Sequence, residues 1–424
     1  MFEPHLALPS NLIGKKIVLV NHSDTNGGAA VVSFRLMQAL RARGLDVRMV
    51  VFNKASRHSA VASHGSSLSR NIRFCLERGW MLLRWGVPYA NIFQVSTSEF
   101  ALDICSHPWV KEADIVCLNW FNQGLMGLKG LSKLHRMGKK LIWTLHDMWA
   151  FTGICHHAYE CDHYTDCCGG CMFIRGGGDF NDISHRMWKR KKRIYSRAPV
   201  TFIAVSHWLE KKARSSSLLR DKPVMTIHNA FPVESFPTRL PPGSDIPQKD
   251  VILIVAARLD DPVKGLRYSI DALNIVSDRH PDIAERTEVY LVGDMKDPSL
   301  LDSLRLSHRW FGVVRDPEMI RRLNAAAKVV LSSSLYESLQ GTLIEGQAAG
   351  AIPVTFGGDG RQDIVSHLHT GYLARHRDTD DLANGIIWAL RADIPRDDLH
   401  RAVEEKFGAD KITDKYINLF SSLL

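Results

Sequence analysis

Residues 16–40 read KIVLVNHSDTNGGAAVVSFRLMQAL, and this stretch decides the fold. Lys16-Ile17-Val18-Leu19-Val20 is a short, continuous apolar run of the kind that forms a strand covered on both faces. Asn21 to Gly28 is rich in turn formers, and Val32, Leu36 and Leu40 then recur at helical spacing. The order is strand, glycine loop, helix. The alternation continues through Asp46–Phe52 (DVRMVVF), Asp114–Leu118 (DIVCL), Lys140–Leu145 (KLIWTL) and Val200–Val205 (VTFIAV), with helical sequence between them. Strands alternating with helices predict a parallel, doubly wound α/β sheet.

The pattern then breaks. Pro232, Pro237, Pro241, Pro242, Gly243 and Pro247 mark residues 231–249 as a linker that follows a first domain over 1–230. Beyond it Asp250–Ala256, Val289–Val292, Val329–Ser332 and Ile352–Phe356 read as strands of a second doubly wound domain over 250–408. Two such domains are expected to face a central ligand cleft at the carboxyl ends of their strands.

Composition narrows the class. The chain has 424 residues, 45% hydrophobic and 23% charged, which excludes a disulfide-stapled miniprotein, a disordered tail and a fibre. Lys and Arg exceed Asp and Glu by 54 to 45, a net +9 that suits anionic ligands, an anionic membrane surface or nucleic acid without choosing among them. Glu3 stands where a signal peptide would carry positive charge, and no window offers about 18 uncharged apolar residues. A cytoplasmic protein is expected, with no transmembrane helix.

Three segments carry chemistry. Gly27-Gly28 opens a helix directly after the first strand, so backbone N–H groups can approach an anion unobstructed; a tight turn made for packing gives the same two letters. Arg258 and Lys264-Gly265 follow the first strand of the second domain, a planar fork and a mobile point charge able to converge on a diphosphate. In Leu335 to Glu345 (LYESLQGTLIE), Glu337 and Glu345 flank a small-residue turn at Gly341-Thr342 that starts a helix at about Thr342. Such a helix N-terminus suits a phosphate, Glu345 the ribose hydroxyls and Glu337 the hydroxyls of a sugar.

Together these residues resemble glycosyltransferase family 4, retaining enzymes of the GT-B fold that use nucleotide sugars. The resemblance rests on Gly27-Gly28, Arg258, Lys264-Gly265, and Glu337 with Glu345, and extends to Gly350-Ala351-Ile352-Pro353-Val354, Asp363-Ile364-Val365, Gly371-Tyr372-Leu373 and the hinge-like Ile227-His228-Asn229-Ala230-Phe231. Trp143 to Gly153 (WTLHDMWAFTG), with the cysteine cluster after it, resembles the branch found in bacterial capsule, exopolysaccharide and colanic-acid-type clusters. The resemblance implies that His146 lies over the donor sugar, that His146, Arg258, Lys264 and Glu337 carry catalysis without a catalytic metal, and that Gly27, Gly28, Gly341, Thr342 and Glu345 bind the donor. It also implies a last helix, 409–424, returning to the first domain. Where many relatives have Glu-x-Phe-Gly, this chain has Glu337-Ser338-Leu339-Gln340-Gly341, a glycine displaced by one residue.

The cluster itself is Cys155, Cys161, Cys167, Cys168 and Cys171. Thiols at this density in a cytosolic chain, ending in Cys-x-x-Cys, suit a structural zinc, with Cys155, Cys161, Cys168 and Cys171 as ligands; disulfides or plain thiols are the alternatives. Two basic segments containing aromatics, His185–Arg197 (HRMWKRKKRIYSR) and Arg70–Trp85, are each either a solvated face or a seat on anionic lipid at the inner face of the cytoplasmic membrane.

The expected function is transfer of a hexose from a nucleoside diphosphate sugar to a glycan or lipid-linked acceptor in surface polysaccharide synthesis. A GT-B phosphorylase or epimerase-like enzyme is the alternative, separated by dependence on inorganic phosphate. A basic zinc-containing nucleic-acid-binding protein stands further off, because no aromatic–basic strand platform and no finger spacing is present, so no nucleic-acid partner is expected.

Overall fold

The computed structural model describes residues 8–240 and 249–424. Glu3 and the middle of the expected linker, 241–248, lie outside the described residues. The chain divides into two compact units, one of Met1–Ala230 with Ile412–Leu424 and one of Phe231–Lys411.

The first unit is built on seven strands: β1 (Lys16–Ser23), β2 (Asp46–Asn53), β3 (Val61–Ser63), β4 (Ile115–Leu118), β5 (Lys140–Leu145), β6 (Thr201–Ala204) and β7 (Val224–Thr226). Their order is β3-β2-β1-β4-β5-β6-β7 and every pairing is parallel. The second unit has β8 (Asp250–Arg258), β9 (Thr287–Asp294), β10 (Ser307–Trp310), β11 (Ala327–Ser332), β12 (Ile352–Phe356) and β13 (Tyr372–Ala374), in the order β10-β9-β8-β11-β12-β13, again all parallel. The two doubly wound domains expected from residues 16–40 and their restart at 250 are both present. In each sheet the strand order reverses beside the first strand, between β1 and β4 and between β8 and β11, the place where doubly wound sheets bind their ligands at the carboxyl ends.

Continuous apolar runs became central strands because helices cover both faces. Ile17, Val18, Leu19 and Val20 are all buried, as are Val251 to Ile254. The strands that the hydrophobic pattern missed are short edge or near-edge pieces: β3, β7, β10 and β13 have three or four residues, and Ser307–Trp310 is exposed throughout. Three or four residues are too few to show a periodicity.

The last helix, Ala409–Leu423, buries Ile412, Tyr416, Ile417 and Phe420 in the first unit. Tyr416 Oη lies 3.3 Å from Thr144 Oγ1, Arg43 pairs with Asp414 at 2.7 Å, and Asn11 donates to the Ser421 carbonyl at 2.9 Å. Among the described residues no helix is long and apolar enough to cross a membrane.

Phe420 is fully buried, so Phe420→Ala leaves a cavity and should lower the stability of the first unit by about 3–5 kcal/mol. Urea denaturation followed by tryptophan fluorescence reads this, since eight of the ten tryptophans lie in that unit. An unchanged midpoint would show that the helix contributes nothing to that core.

Candidate functional site

In the first unit the candidate residues stand at the strand-order reversal. Gly27 adopts φ +94°, a conformation that side chains other than glycine rarely take, and it starts the Gly28–Ala42 helix with no side chain capping it. A Cβ on either glycine would meet nothing within 4 Å, so the helix N-terminus is open. The loop before it is pinned from below. Buried Asp24 accepts the N–H groups of Ala55 and Ser56, both at 2.9 Å; burial raises its carboxyl, and these bonds more than reverse that, holding it below its ordinary value.

His146 follows β5, and its Nε2–H donates to Asn119 Oδ1 at 3.0 Å, just past the end of β4. Burial lowers its pKa to about 4, with Asp147 opposing, so the ring is neutral near pH 7. Asp147 holds the turn: its Oδ2 accepts Trp120 Nε1–H at 2.7 Å and His156 Nδ1–H at 2.6 Å, and its Oδ1 accepts the Trp149 N–H at 2.8 Å. Ser33, Asn119, Thr144, His228 and Tyr416 line a small cavity beside His146.

In the second unit Lys264 ends a short turn after β8 and reaches Glu337 Oε1 at 2.7 Å. Glu337 chiefly raises the lysine's pKa against the pull of burial. Burial would raise the Glu337 carboxyl, but Lys264 and then Arg361 outweigh it, and it sits below its usual value. Gly265 takes φ +64°, and a Cβ there would come 2.3 Å from the Ser333 carbonyl oxygen, so only glycine lets the two loops meet. Beneath them Arg361, fully buried, grips Asp359 with two bonds of 2.8 Å, and Asp359 Oδ2 accepts the Glu337 N–H at 2.9 Å.

The Gly341–Ala348 helix begins one residue before the expected Thr342 and has no side-chain cap. Glu345 lies one turn inside it. Arg258, at the end of β8, is turned toward Asp260 at 3.2 Å and Asp261 at 3.8 Å rather than toward Lys264. The structure therefore joins Lys264 to Glu337 and leaves Arg258 on its own pair of acids.

The cysteines are all free thiols. Cys161, Cys168 and Cys171 are electrostatic neighbours of buried Cys155, whose thiol is raised first by burial and then by them. Tetrahedral zinc needs its sulfurs about 3.8 Å apart. Among the described residues no three of these sulfurs lie within 4.8 Å of one another. Lys191 lies buried beside the cluster, donating to the carbonyls of Trp149, Thr152 and Gly153 and neighbouring Cys168 and Cys155, and burial lowers its pKa to about 7.

Sequence reading missed Asn119, Asp359 and Arg361. Asn119 is marked only by standing directly after the apolar β4, and Asp359-Gly360-Arg361 only by charges placed two glycines after the buried β12.

Comparison with known proteins follows this geometry. Residues 26–235 match the family described as Glycosyltransferase Family 4, and residues 250–392 match the family described as Glycosyl transferases group 1. An uncharacterized glycosyltransferase of Methanocaldococcus jannaschii is 28% identical over 170 residues, which are 37% of this chain and 41% of that protein. The match thus spans less than half the length of this curated relative. Anabaena HepE, crystallised with UDP and glucose, has the same fold at 17% identity, with a TM-score of 0.60 over 96% of this chain and 100% of HepE. Sucrose-phosphate synthase of Thermosynechococcus elongatus has it at 16% identity, with a TM-score of 0.64 over 96% of this chain and 99% of that one. This is the GT-B fold.

His146 generates a pH prediction. Its folded pKa, near 4, lies below the ordinary value of 6.5, so between those values the unfolded chain takes up a proton that the native chain refuses. Stability from this group falls as pH drops through that window and is level above it. Imidazole NMR, assigned with His146→Asn, should show the His146 signals static from about pH 8 to 5. A midpoint near 6.5 would contradict the buried, neutral ring.

Proposed function

We propose that this chain, a Glycosyltransferase Family 4 domain followed by a group 1 domain on a GT-B fold, is a retaining hexosyltransferase that takes its sugar from a nucleoside diphosphate. The observation that carries the reading is the Lys264–Glu337 pair, 2.7 Å long, placed with the uncapped Gly341 helix where the second sheet reverses its strand order. A cation, an ionised carboxylate and free backbone donors are then grouped at the edge where doubly wound sheets bind nucleotides.

In this reading Lys264, Arg258 and the amides of Gly341 and Thr342 receive the diphosphate, Glu345 the ribose, and Glu337 the sugar hydroxyls. The first unit contributes the open Gly27-Gly28 amides and the neutral His146, which can accept at Nδ1 while Asn119 holds Nε2. The bond from the anomeric carbon to the departing phosphate oxygen breaks, and one to the acceptor hydroxyl oxygen forms on the same face. The hydroxyl proton passes to the departing phosphate. Rate enhancement comes from positioning and from stabilising charge on the leaving group. The acceptor we propose is a glycan or lipid-linked sugar of bacterial surface polysaccharide synthesis, supported by the resemblance of Trp143–Gly153 to that branch. A structural zinc at the four thiols would require side-chain rotation to close the sulfurs; metal analysis of protein purified without added metal tests it, and about one zinc per chain is the positive result.

The test is single-turnover transfer with UDP-glucose as the first donor tried. Arg258→Ala removes a half-exposed cation and should cost roughly 10²–10³ in rate while leaving the melting temperature near that of the parent. Lys264→Ala should lose as much rate and also stability, since it takes the nearest cation from the largely covered Glu337 carboxylate. Glu345→Ala should raise donor KM and spare kcat. Transfer within about threefold of the parent in both cation variants would overturn the diphosphate assignment, and a strict requirement for inorganic phosphate would make the enzyme a phosphorylase.

A further inference from the structure

The helix Ser67–Trp85 is inside out. Its buried residues are Glu77, Arg78 and Met81, whereas Leu68, Ile72, Leu76, Trp80 and Leu83 are exposed, Leu83 at 91%. At 3.6 residues per turn the outward arc, about half the circumference, holds Asn71, Leu82, Cys75, Leu68, Gly79, Ile72, Leu83, Leu76, Ser69 and Trp80 without one charge. The apolar surface continues beyond the helix. Exposed Phe100 packs against Trp80 with ring centres 6.0 Å apart, and exposed Phe93 stacks on Phe74 at 6.5 Å.

The rim of this patch has one sign. Arg73 donates to the carbonyls of Phe100 and Ala101 and to the Ser69 hydroxyl, Arg84 lies over Trp85 at 4.6 Å, and Arg186 lies over the same ring at 5.0 Å. Among the described residues none of these three is in an ion pair. Glu77 is paired with Arg78, Glu99 with Arg190 and Asp103 with Lys133. The other basic segment offers no such surface, because Met187, Trp188, Ile194 and Tyr195 are buried and its apolar face belongs to the core.

We propose that the Ser67–Trp85 helix, with Phe93 and Phe100, seats the first unit on an anionic lipid surface. The apolar arc enters the interface between headgroups and acyl chains while Arg73, Arg84 and Arg186 meet phosphates. Charge decides against a second copy of the chain as the occupant: a two-fold contact through this patch would bring the same arginines together with no carboxylate to receive them. The proposal does not rest on transferase activity, and it is tested without a nucleotide sugar.

The full chain is floated with vesicles of phosphatidylcholine containing about 30% phosphatidylglycerol, and with pure phosphatidylcholine. Binding to the anionic vesicles that weakens with salt, and at least about a tenfold loss in Ile72→Glu/Leu83→Glu and in Arg73→Gln/Arg84→Gln, is the expected result. Both sets change exposed or rim side chains, and an unaltered melting temperature confirms that folding is untouched. No flotation by the parent, or equal flotation by the glutamate variant, overturns the proposal. A concentration-dependent dimer abolished by the same glutamates would assign the face to a second copy instead.

Discussion

Parallel pairing governs this molecule. A parallel strand cannot be followed by its neighbour through a tight turn, so the chain must cross over the sheet between strands, most often as a helix, and helices cover both faces. All carboxyl ends then arrive at one edge, with helix N-termini and loops meeting there. In the first unit that edge receives Gly27-Gly28 after β1, Asn119 after β4 and His146 after β5. In the second it receives Lys264 after β8 and Glu337 with Gly341 after β11. Residues more than 70 positions apart meet for topological reasons before any of their own chemistry is considered.

Charge at this edge is held by charge beneath it. Arg361 and Asp359 are both buried, and removing one partner of such a pair typically costs about 3–5 kcal/mol because the other is left uncompensated. The pair is fully engaged: Arg361 also donates to the Ser334 carbonyl and to Thr355 Oγ1, and Asp359 also accepts from the Glu337 backbone. It is a rigid seat for the loop that carries Glu337. Lys264 is fixed from the other side by Gly265, whose missing Cβ allows contact with Ser333. The carboxylate and the ammonium therefore meet with little freedom left to lose on binding a ligand, which is the condition for electrostatic preorganisation.

The sequence made the strands of the two sheets legible where burial is total, as at Ile17–Val20 and Val251–Ile254, because a strand covered on both faces favours an unbroken apolar run. It hid Ser307–Trp310, an exposed edge strand that exists through backbone bonds to β9 alone. Candidate residues with a local signature, such as Gly27-Gly28 or Lys264-Gly265, could be named. Their partners could not, since Asn119 and Arg361 act through contacts across 27 positions, to His146 and to Ser334 respectively, and an isolated Asn or Arg carries no pattern. Spacing suggested a metal at the thiols; Cys-x-x-Cys fixes a distance along the chain and says nothing of Lys191, which the fold places beside Cys155 and Cys168.

The helix Ser67–Trp85 shows how a fold can leave apolar residues outside. An amphipathic helix ordinarily binds its domain through its apolar stripe. Here the inward bonds are polar and point at backbone: Glu77 Oε1 accepts the N–H groups of Thr97 and Ser98 at 2.9 and 2.8 Å, and Arg78 donates to the carbonyls of Ile92 and Val95. A carboxylate bound by two amides and a guanidinium bound by two carbonyls, paired with each other at 3.3 Å, can be buried side by side, and together they anchor the helix to residues 92–98. Ser98 and Phe100, both at φ +52°, are non-glycine residues in the left-handed region within or just beyond that anchored stretch, so the chain accepts local strain to reach it. Once polar bonds hold the helix in place, its leucines are not needed for folding. They are free to serve a surface outside the protein.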